Sequence, residues 1–190
     1  LIVLTQAYGL AASGSAKGAM DLKKALALIN VVENETAIST AGIIEVFEKT
    51  GGIAHTAGVS IRELTAMAAA MVPVAGSASE AGTFLKTAIQ SIVAPTDVAR
   101  GVLEDLGFAT MDAAWNSKTF TERLTDLSKV FEDLTEPQKL QAANDLFGVR
   151  QASRGILLLK DWANAQGVAQ KALAATVDEE ANAQKMRDEI

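Results

Sequence analysis

At four places in this chain a serine or threonine three residues ahead of a glutamate or glutamine opens an apolar stripe. The pairs are Ser60/Glu63, Ser77/Glu80, Thr119/Glu122 and Thr135/Gln138. In such a capping box the hydroxyl accepts the amide three residues on, and the longer side chain reaches back to the cap's own amide. Two otherwise orphaned donors of the first turn are satisfied together. The stripes that follow recur at helical spacing: Leu64, Met67 and Met71; Phe84, Leu85, Ala88, Ile89 and Ile92; Leu124, Leu127, Val130, Phe131 and Leu134; Leu140, Ala143, Leu146 and Phe147. Start signal and period agree each time, so the chain reads as all-α, with helices over 61–75, 79–94, 120–134 and 136–147.

The stop signals complete the plan. Ser39 is a candidate cap for a helix carrying Ile43, Ile44, Val46 and Phe47, weakened at Gly51-Gly52 and ended by Gly58. Pro73 disturbs the last turn before Gly76. Pro95 stops the next helix, and Thr96 caps another over 97–106, with Val98, Val102, Leu103 and Leu106 as its stripe and Gly107 as its end. Upstream, an apolar helix over 1–12 and a second over 19–32 flank a break at Gly14 and Gly18. Residues 108–118 read as a loop anchored by Trp115. A helix over 149–165 carries Ile156, Leu157, Leu159 and Trp162, and Gly167 separates it from a polar, Ala-rich tail. The expected architecture is a compact multi-helix domain of about seven to nine short helices with a longer C-terminal helix. Its divisions are an N-terminal helical segment (1–29), a core (30–166) and a C-terminal extension (167–190). Gly82 stands in mid-helix, where glycine costs about 1 kcal/mol against alanine. A close approach by another helix would account for it.

Composition removes several classes of function. Hydrophobic residues are 49% of 190 but aromatics only 5%, which suits closely packed Ala-rich helices. There is no cysteine, hence no disulfide framework and no thiolate metal site. A net charge of −6 makes a poor neutraliser of phosphates, so no specific nucleic-acid partner is expected. Leu1-Ile2-Val3-Leu4 lacks a basic flank and a cleavage site, which argues against a signal peptide. The longest apolar run, 66–76, is interrupted by Pro73 and is about half of a membrane span, so no membrane association is expected. The chain starts without methionine and ends in a helical pattern, and is expected to be a piece of a longer protein.

Candidate chemistry is thin. His55 is the single histidine and has no second His or Cys to share a metal with. Glu132-Asp133 and Asp178-Glu179-Glu180 are neighbours in sequence, so on a helix they point to different faces and read as solvated surface. Glu104 could serve as the acid of a peptidoglycan-cleaving enzyme, but nothing beside it marks a sugar cleft. Ser77 and Ser79 lack the glycine frame of a nucleophile elbow, and capping accounts for both. Lys23-Lys24 is a small basic patch, and Met67 and Met71 read as core. No catalytic, metal or cofactor-binding residue is assigned, and no enzymatic activity is expected.

From about residue 30 to about residue 160 the chain resembles the core region of phage tail tape measure proteins of the lactococcal-phage type. Gly58, Ser60 and Glu63 match a Gly-x-Ser-x-x-Glu helix start. Gly76 precedes Ala81-Gly82-Thr83-x-Leu85, which is similar to an Ala-Gly-Thr-x-Leu signature. Pro95-Thr96 followed by Leu103-x-x-Leu106-Gly107 resembles a Pro-Thr…Leu-x-x-Leu-Gly stretch. Leu134-Thr135 followed by Phe147-Gly148 resembles a closing Leu-Thr…Phe-Gly element. One departure is plain: Met111-Asp112-Ala113-Ala114-Trp115-Asn116 lacks the glycine of the family's Asp-x-x-Gly turn.

The resemblance implies a structural role in setting tail length and scaffolding tube assembly, in a phage or prophage. Implied partners are the tail tube protein, tail assembly chaperones and tail tip or baseplate proteins, with homo-oligomerisation through Ala/Gly-rich faces such as 66–70 and 81–82. The implied location is the virion tail tube lumen, and the bacterial cytoplasm during assembly. A generic bacterial helical interaction module and a cell-wall hydrolase domain of such a protein are the alternatives.

Overall fold

The computed structural model describes residue 8 and residues 16–36, 38–110 and 112–167. Within these the chain is helical without strands: α1 Ala16–Glu35, α2 Thr40–Thr56, α3 Ile61–Ala75, α4 Ala78–Val93, α5 Asp97–Asp105, α6 Ala113–Asn116, α7 Phe120–Glu132, α8 Glu136–Phe147 and α9 over 152–167. The expected helix over 1–12, residue 8 apart, and that over 168–190 lie outside the described residues. Among the described helices α1 is the longest, at 20 residues. It takes in Gly18, expected as a break, and passes through residue 29 to Glu35.

The caps form as the pattern demands, with one exception. Ser60 Oγ accepts the Glu63 amide (3.2 Å) while Glu63 Oε2 accepts the Ser60 amide (2.7 Å). The Thr119/Glu122 pair repeats this at 3.2 and 2.7 Å. At Thr135, Gln138 Oε1 accepts from both the amide (2.9 Å) and the hydroxyl (2.7 Å). Ser77 accepts the Glu80 amide (3.2 Å), but the Glu80 carboxylate turns away to Arg154, so the second box is half of one. Ser39 and Thr96 cap α2 and α5 by accepting from Gly42 (3.2 Å) and Ala99 (3.3 Å).

Helix α4 is the hub. It packs against α2, α3, α7 and α8, and its contact with α2 is the most extensive pair among α1–α8. Its sequence explains this: Ala78, Ala81, Gly82, Phe84, Leu85, Ala88, Ile89 and Ile92 are all buried, which is a wider apolar face than a helix resting on one neighbour needs. Phe84, Leu85, Ile89 and Ile92 have no exposed surface. Burying each contributes roughly 1.5–3 kcal/mol. Around α4 one continuous core runs from Leu28 and Ile29 of α1 to Leu158, Leu159 and Trp162 of α9.

Polar ties fix α9 to α7. Ser128 Oγ donates to the Leu159 carbonyl (2.6 Å), and the Trp162 indole Nε1–H and the Gln166 amide both donate to Thr125 Oγ1 (2.9 and 3.0 Å). Helix α9 still includes Gly167, which was expected to break it.

Three stripe assignments change. Val98, Leu140 and Leu157 were read as inward, yet they are exposed at 63%, 51% and 43%. Ala99, Lys139 and Leu158 take the buried positions beside them. Each shift rotates the buried face by about one residue, the smallest error a 100° period allows. Residues 113–116, expected in a loop, form the short α6, which seats Trp115 at 5% exposure.

Candidate functional site

The residues that carry the resemblance are helix punctuation and the inner face of α4. Gly58, Gly76, Gly107 and Gly148 all have positive φ, at 73°, 89°, 90° and 82°. A Cβ is strained in that region, so glycine is the natural end for each preceding helix. Two of these ends are complete Schellman motifs. The Val59 amide donates to the Ala54 carbonyl (2.8 Å) and Gly58 to His55 (3.0 Å). Phe108 donates to Leu103 (2.9 Å) and Gly107 to Glu104 (2.9 Å). Leu106 is half-buried beside the second of them, and Pro95 is half-buried after α4. The exposed Thr83 hydroxyl donates to the Ser79 carbonyl (3.0 Å), a bond internal to α4.

Gly82 marks a close approach. A Cβ there would lie 3.0 Å from Lys49 Cδ, 3.1 Å from Lys49 Cβ and 3.4 Å from Val46 Cα of α2. The neighbouring small residues, Ala81 together with Ala66, Ala68 and Ala69, are buried within the domain. These faces are occupied by the chain's own helices. They are therefore not the free surfaces for self-association that the sequence suggested.

The glutamates that open α3 and α4 also reach across the fold. Glu63 Oε1 accepts from the Thr121 hydroxyl of α7. Glu80 Oε2 accepts from Arg154 Nη2 of α9, and that guanidinium also donates to the Ala75 carbonyl at the end of α3 (3.1 Å). Phe84 of α4 and Phe147 of α8 meet edge to face at 5.8 Å. The fold thus gathers Glu80, Leu85 and Phe147 at α4, while Glu63 ties α3 to α7. Gly58, Gly107 and Gly148 remain at separate exposed corners.

Two residues that sequence reading passed over hold this arrangement. Arg123 is 7% exposed and has no carboxylate partner among the described residues. Its guanidinium donates instead to the carbonyls of Ile92 (3.4 Å), Asn116 (3.1 Å) and Lys118 (3.2 Å), and it lies over the Trp115 ring at 5.3 Å. A cation set against the C-terminal carbonyls of α4 and α6 meets the negative ends of both helix dipoles. Burial lowers its pKa from the ordinary arginine value. The readable signal was a basic residue at a stripe position, three after Phe120 and four before Leu127. Gly155 is buried in α9 beneath Phe147, where a Cβ would overlap the ring.

Nothing in the described residues assembles a reactive centre. His55 is exposed, with the Tyr8 ring 5.3 Å away. Tyr8 has a buried hydroxyl with no hydrogen-bond partner among the described residues, and burial, then the nearby Glu63 charge, raises its pKa. Glu104 is exposed and accepts from Thr110 Oγ1 (3.1 Å). Among the described residues no group of three or more acidic or histidine side chains could hold a metal, and no helix is long and apolar enough to cross a membrane. Grooves of about 300 Å³ each lie among the described residues between α3 and α9 and between α5 and α8.

Residues 1–148 match the family model of phage-related minor tail proteins. The chain is 28% identical over 134 residues to a probable tape measure protein of Escherichia phage P2, covering 70% of this chain and 16% of that protein. It is 28% identical over 127 residues to a tape measure protein of Pneumococcus phage Dp-1, covering 67% of this chain and 11% of that protein. The match thus spans under a fifth of either relative. No solved structure matches. With more than half of its length matched by one family model, the chain belongs to the phage-related minor tail protein family.

Proposed function

We propose that this chain is a non-enzymatic segment of a tape measure protein, a compact docking domain within a protein that sets tail length. The observation that carries the reading is the family match over residues 1–148, joined by two relatives that are both named as tape measure proteins. The ordered motifs from Gly58 to Gly148 support the core region of the lactococcal-phage type in particular. In this reading the protein lies in the tail tube lumen of the virion after assembly in the bacterial cytoplasm. Its partners are the tail tube protein, tail assembly chaperones, tip or baseplate proteins and further copies of itself.

The packing supports docking over measuring. A single straight helix of 190 residues would extend roughly 285 Å at 1.5 Å per residue. A chain of this size folded round one core is roughly 40 Å across. In-frame deletion of this segment from the parent phage gene, with tails viewed by electron microscopy, separates the two. A docking domain leaves particles without tails. Intact tails shortened by roughly 285 Å would make the segment part of the ruler, and tails of normal length would make it dispensable; either outcome refutes the proposal.

A further inference from the structure

The groove between α5 and α8 is built from one face of each of these two adjoining helices. On α5 the face runs through Val98, Val102, Asp105 and Leu106, at i, i+4, i+7 and i+8. Opposite it stand Leu134, just ahead of α8, and Ala142 and Asp145 within α8. Val102, Leu106 and Leu134 are half-buried and rest on the core, so the floor is apolar and anchored. Val98 extends that floor outward at 63% exposure. Apolar side chains at this spacing on two adjacent helices leave a seam into which a third helix can lay its own stripe.

The rim gives the seam a sign. Asp105 stands on one wall and Asp145 on the other. Neither carboxylate belongs to any of the ion pairs given for the described residues, and Asp145 accepts only a neutral donor, the Gln141 amide (2.6 Å). The α3–α9 groove, rimmed by Lys160 and Asp161, has no such polarity. A second copy of this chain is a poor occupant. In a two-fold contact each seam would set Asp105 and Asp145 against the same acidic pair.

We infer that the α5–α8 seam is the docking site for an amphipathic helix of a partner protein, one with an aliphatic stripe flanked by lysine or arginine. The stripe fills the floor between Val102 and Leu134, and the flanking cations meet Asp105 and Asp145. The inference rests on the groove's geometry and charge. It stands whether or not the tail-docking reading does.

The probe is a synthetic amphipathic helix of about 18 residues with leucines along one face and lysines on both flanks, titrated into the isotope-labelled chain and followed by amide NMR shifts. Shifts should cluster in residues 98–106 and 134–145. The same peptide with glutamates for lysines should bind about tenfold more weakly at low salt, since two exposed pairs are lost and repulsions replace them. The double variant D105K/D145K should reverse that preference. Val98→Asp changes an exposed side chain and should abolish binding while the unfolding midpoint stays in place. Equal affinity for both peptides, or shifts centred on Met71 and Leu157, would overturn the inference. So would shifts in the seam that grow with protein concentration in the absence of peptide, which would give the seam to a second copy.

Discussion

Replacing Gly155 with alanine tests the packing of α9 directly. A helical glycine normally gains about 1 kcal/mol on becoming alanine, because alanine loses less backbone entropy. Here the added methyl overlaps the ring of Phe147, which is 3% exposed and pinned edge-to-face against Phe84. Relief requires moving the ring or the helix, and overpacking of this kind costs typically 1–3 kcal/mol. The overlap is with the ring itself, so the upper end applies, and the net loss is about 2 kcal/mol. For a domain of this size that lowers the unfolding midpoint by roughly 4–8 °C. Gly52→Ala is the matched control. It lies in α2 with nothing within 4 Å of the added Cβ, and its midpoint should rise by roughly 2–4 °C. Calorimetry of both variants gives the comparison. Phe147→Leu in the Gly155→Ala background should then restore part of the loss, with a coupling of about 1 kcal/mol or more. A Gly155→Ala chain as stabilised as Gly52→Ala would refute the close contact between α9 and Phe147.

Three further outcomes follow from the same geometry. Arg123→Lys keeps a charge but loses the fork that serves three carbonyls, and should cost about 2–3 kcal/mol in chemical denaturation, with Arg123→Ala costing more. Gly82→Leu drives a side chain into Val46 and Lys49 and should lower the midpoint by an amount typical of overpacking, about 1–3 kcal/mol. Sedimentation should be unchanged, since that face is already filled by α2. Glu122 has its pKa lowered by the Thr119 amide, then by the Thr119 hydroxyl. Its depressed folded value means the stability it adds is present above the unfolded carboxylate pKa of about 4.3 and is lost as pH falls through the folded value. Glu122→Gln should therefore narrow the difference between midpoints at pH 7 and pH 3, and an unchanged difference would remove the capping carboxylate from the acid response.

The helix plan was legible because its signals are local. A hydroxyl, a carboxylate three residues on and a glycine at the far end are all read within one turn of the element they bound. Expectations that depended on distant partners fared differently. Glu80 has the spacing of a capping box, but nothing near it in sequence reveals that Arg154 stands close enough to draw the carboxylate away. The stripes of α5, α8 and α9 were found, yet Val98, Leu140 and Leu157 turned outward. A period fixes which residues share a face, while the neighbour's position decides how far that face extends. Arg123 broke its stripe visibly, but its three carbonyl partners come from two other helix ends and a turn that no local pattern joins. Gly155 was hidden for the same reason: its contact is a ring on another helix.

These two kinds of legibility bear on where function resides. The motifs on which the resemblance to tape measure proteins was drawn resolve into glycine helix ends, capping side chains and the buried face of α4. Such residues decide that the chain folds as this bundle, and nearly all their bonding capacity is spent within it. Glu63 and Glu80, exposed enough to reach a partner, are turned inward to Thr121 and Arg154. Recognition must therefore use outward positions that the fold leaves open, and these are the ones a stripe reading misassigns. Val98 is the clearest case. Its helical register places it with Val102 and Leu106, its 63% exposure takes it out of the core, and an apolar side chain left there extends a seam whose rim carries two carboxylates with no ion-pair partner among the described residues. An error of one residue in the inward face of α5 thus coincides with the edge of the seam proposed above to receive a partner helix.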